Sequence, residues 1–171
     1  MPHQRRTGTA RERGAVFGVL AAMARVDGHL DDREIEQYER LLEVHGARGG
    51  EADEYRLLLA GAPTVEECGL LLRDSPTRFT AYLDACVMAR ADEHLTLEEG
   101  QLLGLLAGLL GLTGEQVDVL ERLAGNQGFA LDGNVEDDGP AELETDQVVV
   151  SLKAARIPLS TVLHWIPGGE R

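Results

Sequence analysis

The eight residues Met23-Ala24-Arg25-Val26-Asp27-Gly28-His29-Leu30 return 65 positions later as Met88-Ala89-Arg90-Ala91-Asp92-Glu93-His94-Leu95, altered only at Val26/Ala91 and Gly28/Glu93. At the same offset Phe17 to Ala24 falls on Tyr82 to Ala89, Glu34 on Glu99, and Leu41-Leu42 on Leu106-Ala107. A doubled segment of this kind is one supersecondary unit used twice, and such a unit closes its core against its copy. In a chain of 171 residues the two copies form a single domain with room for an appendage.

The elements are read from punctuation and period. Asp31-x-x-Glu34, Thr64-x-x-Glu67, Thr96-x-x-Glu99 and Thr113-x-x-Gln116 each match the capping box. There an N-cap oxygen and an N3 carboxylate or amide each satisfy a backbone N–H that the first turn leaves without an acceptor. Ser75-Pro76 is an N-cap followed by proline at N1. With the apolar periodicity these signals predict helices near 10–26, 32–45, 51–60, 65–74, 76–91, 97–110 and 114–125. Aromatics at 4% and an abundance of Leu, Ala and Gly disfavour a sheet. The expected fold class is all-α: a seven-helix bundle of two pseudo-twofold three-helix repeats, with the fourth helix as connector and a C-terminal tail behind.

Leu102, Leu103, Leu105, Leu106, Leu109 and Leu110 encircle the sixth helix, and a helix apolar all round belongs in the interior. That helix is therefore predicted at the centre. The second carries Ile35, Tyr38, Leu41 and Leu42 on one face, with Glu34, Glu36, Glu39 and Arg40 as its solvated remainder. The helical domain is expected to span 1–128. Residues 129–146 include Asp132, Glu136, Asp137, Asp138, Glu142, Glu144 and Asp146 without a basic residue, broken by Gly133, Gly139 and Pro140, which predicts an acidic linker. Residues 147–171 turn apolar again around Val148-Val149-Val150, Ile157 to Ile166 and the only tryptophan, Trp165, with Ser160 as the expected N-cap. This tail either folds back on the bundle or docks another protein.

Charge narrows the partners. Sixteen Lys+Arg against thirty Asp+Glu give −14, an anionic field that repels phosphate backbones, so nucleic acid is not expected. Arg5, Arg6, Arg11 and Arg13 before the apolar stretch Gly14 to Ala24 mimic a secretory signal, with Ala22-Met23-Ala24 as its cleavage site. The same helix recurs in mid-chain, where no signal acts, so the N-terminus is read as structure. No apolar run reaches the roughly 18 residues of a membrane span, and the expected location is cytoplasmic. Cys68 and Cys86 lack metal-ligand spacing and read as reduced core residues.

The chemistry of the chain lies in the repeated junction Asp-(Gly/Glu)-His-Leu-x-x-x-Glu. Glu34 and Glu99 open helices, where the dipole and free N–H groups favour an anion, whereas Asp27 and Asp92 end the preceding helices among unpaired carbonyls. A bound cation reverses the second situation. Carbonyls and carboxylates make an all-oxygen set suited to Ca²⁺, Mg²⁺ or Mn²⁺. The junction is not an EF-hand, because Met23 and Arg25 stand where its first carboxylates belong. A purely structural alternative remains open, in which Arg25 and Arg90 neutralise the helix ends beside Asp27 and Asp92 and Glu34 and Glu99 serve as capping-box residues only. His29 and His94 read as exposed loop residues, and His45 and His164 as surface or packing residues without a carboxylate partner. With no nucleophile elbow, phosphate loop or His/Cys cluster, no enzyme is expected.

The pattern Ala-Arg-x-Asp-Gly-x-Leu with its helix-opening Glu, repeated at Met88-Ala89-Arg90-Ala91-Asp92 and closing in Leu110-Gly111-Leu112, resembles the tellurite-resistance TerB-like domain, also found at the N-terminus of DjlA-type membrane co-chaperones. The resemblance covers about residues 10–127. It implies an all-helical pseudo-twofold fold, divalent-metal binding by clustered acidic residues, protein partners, and a non-catalytic role in stress-response or membrane-associated complexes. By position the implied ligands are Asp27, Glu34, Asp92 and Glu99. Glu93 departs from the glycine of copy one, and no His-Pro-Asp tripeptide of a J domain occurs, so a full membrane co-chaperone is not expected.

Overall fold

The computed structural model describes residues 8–61, 63–91, 95–130 and 145–162, with 126–130 and 145–147 as backbone alone. Its elements are α1 (Ala10–Ala24), α2 (Asp32–Val44), α3 (Gly49–Leu58), α4 (Val65–Leu72), α5 (Thr77–Ala89), α6 (Leu97–Leu109), α7 (Gly114–Ala130), α8 (Thr145–Ala154) and a 3-10 turn (Leu159–Thr161). The fold is all-helical, with no strand among the described residues. No described helix is long and apolar enough to cross a membrane.

Local chemistry sets the helix ends. Asp31/Glu34 and Thr96/Glu99 form complete capping boxes, as does Thr9/Glu12, which opens α1 and was not anticipated. Thr113 and Gln116 exchange the same two bonds, at 3.0 and 3.2 Å. Helix α5 begins one residue later than expected: Pro76 is its N-cap, and Ser75 Oγ accepts from Thr77 N–H at 3.1 Å. Both α2 and α6 end in Schellman motifs. Gly46 and Gly111, related by the repeat, sit at φ +69° and +66°. Ala47 N–H then reaches Leu42 O at 2.9 Å, and Leu112 N–H reaches Ala107 O at 3.0 Å. A side chain at either glycine would strain the left-handed turn.

The centre is α5, with α1 beside it, and not α6. From Phe79 to Ala89 every residue of α5 is buried, and α1, α2, α4, α6, α7 and the 3-10 turn all pack against it. Small Ala81, Ala85 and Ala89, four residues apart, make one stripe of α5 on which a neighbour can approach closely. Helix α6 buries Leu103, Leu106 and Leu110 against α4 and α5 but leaves Leu97 73% and Leu105 45% exposed. Space is open around Gly100, Gly104 and Gly108, so this helix lacks the side chains that would fill a second interface. Helix α4 crosses it closely because Gly69 has no Cβ: one placed there would lie 2.9 Å from Leu109 Cβ.

Phe17 of α1 knits the first three helices together. Its ring stacks on Tyr55 of α3 at 4.5 Å and meets Tyr38 of α2 edge-on at 5.7 Å. Tyr38 OH donates to Tyr55 O at 2.5 Å, and Tyr55 OH and Arg13 Nε both donate to Glu51 Oε1 at 3.0 Å.

The described part of the tail folds back on the bundle. Helix α8 packs on α7 and the 3-10 turn on α5, burying Leu152, Ala155, Ile157 and Val162, while Gln116 Nε2 donates to Ala155 O at 3.1 Å. Ser160 lies inside the 3-10 turn, whose N-cap is Pro158. Helix α7 runs past the expected domain end at 128, and α8 begins inside the expected linker. Residues 131–144, most of the acidic run, and Leu163, His164, Trp165 and Ile166 lie outside the described residues. Cys68 and Cys86 are free and buried, and burial pushes their thiols up to about 11 and about 12, so neither is a reactive thiolate at neutral pH.

Candidate functional site

Two first turns build the site. In α2, Asp31 Oδ1 accepts from Glu34 N–H at 2.9 Å and Glu34 Oε2 accepts from Asp31 N–H at 3.0 Å. In α6, Thr96 Oγ1 accepts from Glu99 N–H at 3.2 Å and Glu99 Oε2 accepts from Thr96 N–H at 2.7 Å. The boxes fix both carboxylates in repeat-related positions, and packing then removes them from solvent. Glu34 is only 5% exposed and Glu99 2%. The solvated position expected for Glu34 is thus corrected: it lies one turn before Tyr38 and two before Leu41, on the stripe of α2 that faces the interior.

Burial pushes the Glu34 carboxyl up to about 7 against the lowering effect of the Asp31 N–H, and the charges on Asp31, Asp27 and Glu99 push the same way. Glu99, from the second copy, thus acts on the Glu34 carboxyl of the first, although more weakly than burial does. A cation beside Glu34 would offset the cost of burying its charge.

Asp27 stands in the exposed loop between α1 and α2, its Oδ1 accepting from His29 N–H at 2.9 Å. Gly28 takes φ +83°, a left-handed conformation that glycine adopts without strain. Glu34 and Glu99 both close the capping boxes that the structural alternative requires, but its ion pair between Arg25 and Asp27 is not formed. Arg25 instead donates to Leu59 O at the end of α3, and among the described residues no ion pair reaches Asp27. His29 is exposed, as expected. Arg90 lies against Gly125 of α7. Asp92, Glu93 and His94 fall outside the described residues. Among the described residues no group of three or more His, Cys, Asp and Glu side chains is arranged to hold a metal.

Two features escaped the sequence reading. One turn along α2 from Glu34, Gln37 Nε2 is buried without a hydrogen-bond partner, and nothing in the periodicity marks it. His45 has a carboxylate partner after all. Its Nε2 lies 2.5 Å from Asp84 Oδ2, with the two side chains 5% and 0% exposed, and its ring meets Phe17 edge-on at 5.4 Å. The signal was Asp84 itself, a lone carboxylate in the run from Phe79 to Ala89, since a buried charge demands a partner. Comparison with protein-family models, with curated proteins and with solved structures finds no match for this chain.

Proposed function

We propose that this chain is a TerB-like helical protein of two pseudo-twofold halves that binds a divalent cation between the first turns of α2 and α6. On this reading it serves as a cytoplasmic, non-enzymatic scaffold or sensor in a stress response. The observation that carries the reading is the pair of buried carboxylates, Glu34 and Glu99, close enough that the charge on one raises the other. Buried like charges are costly unless compensated. Glu34 and Glu99 would be the inner ligands, with Asp27 and Asp92 completing an oxygen set for Ca²⁺, Mg²⁺ or Mn²⁺. The donor set supports this fit: the capping bond of Glu34 engages its Oε2, and the orphaned amide of Gln37 could donate to a water of the ion's shell.

Native mass spectrometry of the full chain, with and without chelator, tests the proposal. Bound divalent metal that disappears in Glu34→Gln/Glu99→Gln supports it, and an unchanged mass in the presence of each ion contradicts it. A second reading, a metal-independent module that docks a protein partner through its acidic face and its C-terminal Trp165 segment, draws support for protein contact from Leu30, Ile35, Leu95 and Leu97, which stand exposed at the same two helix openings. Partner binding that survives chelator favours that reading.

A further inference from the structure

We infer that the buried His45–Asp84 pair fixes the register of α2 along α5 and thereby holds Glu34 opposite Glu99, so that both are positioning residues for the candidate site. The inference rests on the proposed site for its functional meaning, but its geometry stands alone. His45 caps the C-terminal end of α2, and Asp84 lies inside α5. Glu34 stands at the other end of α2, eleven residues away, or about 16 Å at the helical rise. Of the other buried residues on that face of α2, Tyr38 bonds to Tyr55 O of α3 and not to α5, while Leu41 and Leu42 bury apolar surface, and apolar burial has no direction. A slip of one turn, about 5.4 Å, would keep such side chains covered while carrying Glu34 away from Glu99. A hydrogen bond of 2.5 Å does not tolerate that slip.

The repeat shows that burial alone does not require a polar pair. His45 corresponds to Leu110 and Asp84 to Val19, both apolar and fully buried. A buried polar pair adds little to stability over an apolar pair of similar volume, and fixing register is its best-attested use. Helix α6 has a different device, the close crossing of Gly69 on Leu109.

The test places spin labels at Glu36→Cys of α2 and Gln101→Cys of α6, both exposed positions, in the metal-free full chain; the native cysteines are buried. The distance distribution and the Mn²⁺ affinity are then compared among the wild-type background, His45→Leu/Asp84→Val and His45→Gln/Asp84→Asn. The apolar pair should keep or raise the melting temperature, yet broaden or displace the distance by about one helical turn and weaken Mn²⁺ binding at least tenfold. The amide pair, which retains a hydrogen bond, should restore the narrow distance and the affinity. An unchanged narrow distance in the apolar variant overturns the inference. Failure of that variant to fold overturns it too, because the pair would then serve stability rather than register. If the wild-type chain binds no Mn²⁺, the metal reading fails and the distance measurement still decides the register.

Discussion

Helices α2 and α6 are repeat-related, and they agree at their two ends and disagree between them. Each opens with a capping box around a buried glutamate and closes in a Schellman motif on glycine. Between these ends α2 is amphipathic and tied to α5 by His45, whereas α6 has no charge from Gly100 to Gly111 and presents a bare glycine stripe to open space. What the two helices share is the machinery that places Glu34 and Glu99. Their bodies have diverged to suit different neighbours.

The largest expected effect tests how one-sided α6 is. Leu106→Ala, at a fully buried position, should cost about 2–5 kcal/mol in urea unfolding. Leu105→Ala, one residue along on the exposed side, should stay within about 0.5 kcal/mol. Equal losses would mean that α6 is enclosed after all.

Next in size is a pH effect that belongs to Glu34. A carboxyl raised from 4.5 to about 7 holds its proton more tightly in the folded chain than in the unfolded one. Its burial therefore costs nothing below about pH 4.5 and the full amount above about pH 7, so the metal-free protein should lose stability as pH rises through that window. Glu34→Gln keeps a capping acceptor and abolishes the slope. It should match the wild type near pH 4.5 and exceed it at pH 8 by on the order of 1–3 kcal/mol. A variant no more stable than the wild type at pH 8 would remove the burden attributed to this carboxylate.

The smallest effects set the glycines of α6 against those of the turns. Gly104→Ala and Gly108→Ala meet only open space and should each raise stability by about 0.5–1 kcal/mol. Gly46→Ala and Gly111→Ala, at positive φ, should each lower it by about 1 kcal/mol. Thermal melts distinguish the signs. A loss at Gly104 or Gly108 would reveal a neighbour on that face.

The helices were legible because their signals are local. A Thr or Asp three residues before Glu or Gln makes its bonds within one turn, whatever the rest of the chain does. Burial was less legible because it is a property of neighbours. Six leucines around α6 measure hydrophobicity, but Gly100, Gly104 and Gly108 remove the surface that would have met another helix. In α5 the polar letters Thr80, Tyr82 and Asp84 disguised a helix buried along nearly its whole length. The repeat pointed to Glu34 and Glu99 as equivalent positions, and the structure buries both behind their capping boxes. That Glu34 faces inward, and that the Gln37 amide nitrogen is covered, depends on how α2 is rotated against α1 and α5, which charge patterning misassigned. The pairing of His45 with Asp84 crosses 39 positions, and no spacing rule encodes such a contact.

Calorimetric titration of chelator-stripped protein with Ca²⁺, Mg²⁺ and Mn²⁺ in turn, at pH 6.5 in two buffers of different ionisation heat, bears most directly on the cation site. Binding should be seen with at least one ion. Its heat should depend on the buffer, because Glu34, with a carboxyl raised to about 7, must release a proton to the solution as the metal enters. Glu34→Gln/Glu99→Gln should abolish that binding. No heat with any of the three ions, or undiminished binding by the double variant, would contradict a cation site between α2 and α6.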